Sequence, residues 1–135
     1  MMEWTPSIDV VTVFVEDLAQ TRAFYEVVFG ATPVFQNQDS AVFKFGSLAV
    51  NLLEASSAPE LIEPAMVGSP NAGARFQFTI MVDDVHAVCD LLASRGVSLL
   101  NGPMDRWWGM RTASFVDPAG YIWEVAQDLE APAGG

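Results

Sequence analysis

Apolar residues recur along this chain in two registers, and the succession of registers is written twice. VVTVFVEDL, Val10 to Leu18, is an apolar run closed by an acidic pair. QFTIMVDDV, Gln77 to Val85, repeats that order 67 residues later, about half the chain. Each block reads as a strand leading into a helix. In DLAQTRAFYEVVFG, Asp17 stands as an N-cap with Gln20 three residues on, a capping-box spacing. Leu18, Tyr25, Val28 and Phe29 then share one helical face, and Gly30 stands where a left-handed C-cap is wanted. In DVHAVCDLLASRG, Asp84 is the cap, Val85, Val88, Cys89 and Leu92 share a face, and Gly96 ends the helix.

Shorter apolar runs follow each helix. In the first half they are TPVFQNQ, AVFKFG and LAVNLLEA, with NQDS able to turn a hairpin. In the second half they are VSLLNGP, GMRTASFV and YIWEVAQ, with DPAG at Asp117–Gly120 placed as a type I turn. The predicted organisation is α+β: two tandem βαβββ modules forming curved mixed sheets around a cleft. The first module is placed at 1–55 and the second at 75–129. A Pro/Gly/Ser/Ala-rich linker is placed at 56–74, with one helical turn at Pro59–Ile62, and a frayed tail at 130–135.

Composition narrows the function classes. The chain has 135 residues, 51% hydrophobic and 17% charged, enough for a sizeable core. Its formal net charge of -11 argues against nucleic acid as a partner, since phosphate binding needs a cationic face; it is accounted for by a solvated acidic surface, or by attraction of a cationic ligand. No apolar run approaches the ~20 residues of a membrane span. MMEWTPS lacks the basic head and apolar stretch of a secretory signal, so a cytoplasmic location is expected. The single cysteine, Cys89, lies in the apolar helical pattern and reads as core.

VEDLAQTRAFYEVVFG and WWGMRTASFVDPAGYIWEV resemble the vicinal oxygen chelate superfamily. That group includes glyoxalase I, extradiol dioxygenases and the fosfomycin- and bleomycin-resistance proteins. The likeness covers roughly residues 8–127. In metal-dependent members, ligands sit on the first and last strands of each half. The matching positions are Val10, Asn51 (Val50 with a one-residue register change), Gln77 and Glu124. Val has no donor atom, and one carboxylate with two amides and no imidazole is a poor first-row metal site. His86 falls outside the pattern, on the helix surface. No metal and no cofactor are therefore expected, and no catalytic set stands out. Glu124 remains open as a general base, or as a carboxylate held by Arg111 or an amide.

The resemblance also offers a non-catalytic branch, the bleomycin-resistance-like proteins, which hold a drug in clefts between two subunits. It implies a homodimer that sequesters a planar or cationic antibiotic. An altered lyase or dioxygenase site is the alternative. The candidate ligand contacts are Phe35, Phe43, Asn51, Gln77, Trp107, Trp108, Met110, Arg111 and Glu124. Phe43 and Trp123 lie in strands and are also core candidates. Arg111 can be a structural bridge or a fork for a ligand carbonyl or carboxylate. Met66, Met81 and Met104 are gap fillers unless they line the cleft. Trp4 is assigned to a surface or subunit contact. RWWGMR, Arg106–Arg111, poses the sharpest question: an apolar plug, or a platform for a flat ligand. Successive side chains of an extended segment point to opposite faces, so Trp107 and Trp108 can act together only if the backbone turns there.

Overall fold

The structure is a computed structural model that describes residues 4–130. It contains the expected α+β arrangement of two βαβββ modules, each with a four-stranded mixed sheet. Two compact units, Met1–Gly68 and Ser69–Gly135, divide the chain inside the Pro/Gly-rich stretch. The tail assigned to 130–135 lies outside the described residues, apart from Glu130.

In the first unit, β1 (Val10–Val15) leads into α1 (Leu18–Phe29). β2 (Phe35–Gln36), β3 (Ser40–Phe45) and β4 (Leu48–Glu54) follow, and the sheet order is β1-β4-β3-β2. β1 and β4 are parallel, with Thr12 opposite Asn51, and the other neighbours are antiparallel. Asp17 caps α1 by accepting from Gln20 N at 3.0 Å, and Gly30 closes the helix at φ 62. Asn37 makes the β2–β3 turn, its Oδ1 accepting from Asp39 N and Ser40 N. α2 is the single turn Pro59–Ile62.

The second unit repeats the plan: β5 (Gln77–Met81), α3 (Val85–Ser94), β6 (Asn101–Asp105), β7 (Met110–Val116) and β8 (Ile122–Asp128). Its sheet order is β5-β8-β7-β6. Asp84 caps α3 through Ala87 N at 3.1 Å. β6 starts later than VSLLNGP suggested, at Asn101, and its register with β7 shifts between Asn101 and Met104. Gly102 lies in that irregularity at φ 84, and a Cβ there would meet Thr112 O at 2.4 Å, so only glycine lets the strands approach.

Each helix covers one face of its own sheet. Leu18 N donates to Glu54 Oε1 at 3.1 Å, which brings the start of α1 to the end of β4. Val85 N donates to Gln127 Oε1 at 3.0 Å and does the same for α3 and β8. Under α1, Tyr25 packs on the fully buried Phe43 with ring centroids 5.4 Å apart, and Phe29 packs on Phe45 at 5.1 Å. On the α3 side, Trp123 stacks on Phe78 at 4.5 Å beside buried Phe115 and Val125. Cys89 is buried in the apolar face of α3, and burial pushes its thiol pKa up, which suits an inert core residue.

The Asp117–Gly120 turn is anchored by a carboxylate that is almost fully buried. Asp117 Oδ1 accepts from Ala119 N and Tyr121 N, both at 3.0 Å, and Oδ2 accepts from Trp123 Nε1 at 3.3 Å. Removing it strands three donors, each worth about 1–3 kcal/mol when buried without a partner. Asp117→Ala is expected to lower unfolding free energy in urea by more than about 2 kcal/mol. Asp17→Ala, which deletes one exposed cap, costs about 1 kcal/mol.

Candidate functional site

The helix-to-strand ties fix which face of each sheet is left free of its helix. Glu54 and Gln127 point to the helix side. Residues three positions earlier, Asn51 and Glu124, therefore point to the other side, because side chains alternate along a strand. In the first sheet that open face carries Val10, Thr12, Val42, Asn51 and Phe35, matched by strand register. In the second it carries Gln77, Thr79, Met81, Met104, Thr112, Ser114 and Glu124.

The two faces share one device. Thr12 sits beside Asn51, whose Nδ2 donates to Thr12 Oγ1 at 3.4 Å. Thr79 sits beside Glu124, and its Oγ1 donates to Glu124 Oε1 at 3.0 Å. Asn51 Oδ1 is buried with no hydrogen-bond partner among the described residues. Neither threonine was singled out from sequence, although both lie two residues after the candidate positions Val10 and Gln77. The signal was present: Thr12 and Thr79 stand 67 residues apart, like the capping aspartates.

The four positions that the resemblance marks for a metal, Val10, Asn51, Gln77 and Glu124, carry side chains whose chemistry does not fit a first-row ion. Val10 offers no donor, Asn51 and Gln77 offer neutral oxygens, and only Glu124 brings charge. Among the described residues no group of three or more His, Cys, Asp and Glu side chains is arranged to hold a metal ion. His86 is exposed on α3.

Several sequence-based placements need correction. Phe43 is fully buried on the helix side of its sheet, against Tyr25, and cannot reach a ligand on the open face. Arg111 also points to the helix side, because it is paired in register with Gln127. It does not face Glu124; of the two roles expected for it, the structural bridge to an acid across the sheet is the one the structure contains. Its guanidinium forks onto Asp105, Nε to Oδ1 at 2.7 Å and Nη2 to Oδ2 at 3.3 Å. Met66, Met81 and Met104 fill no gaps, being 90%, 59% and 40% exposed.

The arginine that does reach the open face is Arg106. Its Nε donates to Thr112 Oγ1 at 2.9 Å, and its guanidinium carbon lies 5.8 Å from the centre of the Trp108 ring. A tight turn makes this possible. Arg106 N donates to Met110 O, Gly109 N donates to Arg106 O, and Gly109 takes φ 86. The turn lets both tryptophans project from one hairpin tip as an edge-to-face pair, with centroids 5.4 Å apart. Trp107 is 92% exposed and Trp108 50%, so neither is a plug within this chain. Phe35, 55% exposed, projects from the short β2 of the other unit, and Trp4 is also exposed.

With the fold and open faces defined, the chain can be classed. Residues 7–125 match the family model of the Glyoxalase/Bleomycin resistance protein/Dioxygenase superfamily, and the chain belongs to it. It is similar in structure to a glyoxalase/bleomycin resistance protein/dioxygenase from Nocardioides, with TM-score 0.84 and 23% identity over 97% of this chain and 89% of that one. A glyoxalase-related enzyme from Fulvimarina pelagi aligns with TM-score 0.79 and 24% identity, covering 95% and 92%. Lactoylglutathione lyase from Agrobacterium tumefaciens aligns with TM-score 0.73 and 21% identity, covering 93% and 96%. These likenesses establish the fold. No curated protein matches the chain. No helix among the described residues is long and apolar enough to cross a membrane.

Two outcomes test this geometry. The hydrogen bonds from Arg111 hold the Asp105 carboxyl below the usual carboxylate range, opposed by desolvation and helped by the Arg111 charge. A depressed folded-state pKa stabilises the fold above the unfolded pKa, and that contribution fades as pH falls through the folded value. The Asp105 carboxyl carbon, followed by NMR, should titrate lower in wild type than in Arg111→Gln. Trp107→Ala should leave the urea midpoint within the equivalent of about 0.5 kcal/mol, since it removes only exposed surface.

Proposed function

We propose that the protein binds a planar small molecule without transforming it, on the open face of its second sheet. The binding serves to sequester an antibiotic, as in the bleomycin-resistance branch of its superfamily. The observation that carries this reading is the exposed Trp107–Trp108 pair on the hairpin that borders the Glu124 face. Two large rings held by a tight turn, with no core to support, offer contact area at low entropy cost. Each stacked ring contributes about 1–3 kcal/mol, by analogy with base–aromatic stacking. Met110 follows the turn, and Met104 and Met81 add a soft apolar lining that adapts to ligand shape. Glu124 and Gln77 supply polar selectivity, and the acidic surface favours ligands with a cationic portion. Taken by itself, the first unit presents Asn51 and Phe35 on the corresponding face of its own sheet.

The reading against an enzyme rests on donor chemistry: one carboxylate bonded to a threonine is no substitute for a chelating set. A homodimer belongs to the same proposal. Met81, Met104 and Val116 leave apolar surface on the open face, and a second copy would cover it.

Titration with a panel of planar and cationic antibiotics, bleomycin included, should quench tryptophan fluorescence with at least one member. Trp108→Ala should weaken that binding by about fivefold or more. A panel without any quenching overturns the proposal. Metal analysis tests the enzymatic alternative. Protein purified without chelators should carry no stoichiometric metal. A bound ion that disappears in Glu124→Ala would move the protein to the lyase or dioxygenase side.

A further inference from the structure

The geometry points to Arg106 as an anion receptor that selects planar ligands bearing a carboxylate or a comparable oxyanion. This deepens the binding proposal and rests on it. Three features set Arg106 up for the role. Its Nε is tied to the hydroxyl of Thr112, a residue only 2% exposed and rooted in the middle of β7. Its guanidinium lies against the Trp108 ring. Among the described residues it takes part in no ion pair, and Nε–Thr112 is its side-chain hydrogen bond.

The acids on this hairpin and on the strand beside it form no ion pair with Arg106. Asp105 is forked by Arg111 on the opposite face of the sheet. Asp128 Oδ1 accepts from Glu130 N. The Glu130 carboxylate lies along Gly109, where a Cβ would come within 2.7 Å of it. Acids outnumber bases in this chain 17 to 6, yet Arg106 is left half-buried without an acidic partner.

A guanidinium bonded through Nε still presents the two Nη groups as a planar pair of donors. That is the geometry a carboxylate fills with two parallel bonds. Here the plane is held beside an indole, so a ligand with its acid group directly on a flat ring engages both at once. The ring packs against Trp108 and the oxyanion takes the Nη donors. Whole-chain charge predicts a cationic ligand, whereas this site predicts an acidic group on the aromatic portion.

The test uses 2-naphthoate and its neutral isostere 2-naphthamide, titrated by calorimetry into wild type and variants, with circular dichroism confirming each fold. Wild type should bind the acid about tenfold or more tightly than the amide. Arg106→Gln should bring the two to equal affinity. Arg106→Lys, which keeps charge but loses the fork, should retain part of the preference. Arg111→Gln, on the other face, should keep all of it. Equal affinities in wild type, both lost in Trp108→Ala, overturn the role of Arg106 and leave the binding face standing. Binding of both probes that survives Trp108→Ala overturns both proposals. A preference that disappears in Arg111→Gln, or no naphthoate binding at millimolar concentration, overturns the anion assignment.

Discussion

The side chain that ends each sheet and catches the first amide of its helix sets the rest of the structure. Leu18 N on Glu54 and Val85 N on Gln127 satisfy a helix N-terminal donor that would otherwise need water. They also fix the face of the last strand on which the helix lies. Three residues is an odd step along a strand, so Asn51 and Glu124 are turned away from the helices. One hydrogen bond thus decides both where the aromatic core collects and where polar chemistry is displayed. The same bond in both modules explains why Thr12–Asn51 and Thr79–Glu124 form equivalent pairs despite their different residues.

The modules diverge where this constraint ends. The inner strands of both sheets are alike in pairing, but their outer hairpins are not. In the first unit the outer strand is only Phe35–Gln36, and Asn37 turns the chain with its own side chain. In the second, a register shift and the glycine at 102 carry the outer strand to Asp105, and the turn after it lifts Trp107 and Trp108 clear of the sheet while Arg106 lies back on Thr112. The pair Thr12–Asn51 is neutral, whereas Thr79–Glu124 carries charge. Binding material therefore concentrates on the second sheet, even though the fold is duplicated.

The fold was legible because its signals are local or periodic. The capping aspartates, Gly30 and the Asp117 turn each act within a few residues of themselves, and the 67-residue offset repeats the whole pattern. The misplacements differ in cause. Across the Arg106–Arg111 turn the face cannot be found by counting along the chain, because the turn interrupts the alternation. Trp108-Gly109-Met110-Arg111 is a continuous motif in the sequence, which leaves Arg111 open as a ligand fork or a structural bridge. The turn closed by Gly109 reverses the chain and leaves Arg106 on the open side, Arg111 on the helix side. Phe43 was recoverable by alternation alone: it neighbours Val42, the partner of Asn51, and so belongs to the opposite face. Thr12 and Thr79 were passed over because threonine is ordinary in strands; only their repeated spacing marked them.

Whole-chain charge and local charge answer different questions. A net charge of -11 sets the long-range potential that an approaching molecule meets, and it favours cations. Salt screens that potential over about 8 Å at physiological ionic strength. At contact distance, what matters is which charged groups lack partners. Glu124 shares its oxygen with a hydroxyl, and Asp105 is spent on Arg111. Arg106 is positioned by a buried threonine and an indole, neither of which neutralises it. A ligand matched to this surface would carry its cationic part outward, toward the acidic exterior, and its acidic part against Trp108. An acidic protein that keeps an uncompensated guanidinium beside an exposed tryptophan pair is built to discriminate among flat molecules by where their charge lies, as well as by their size.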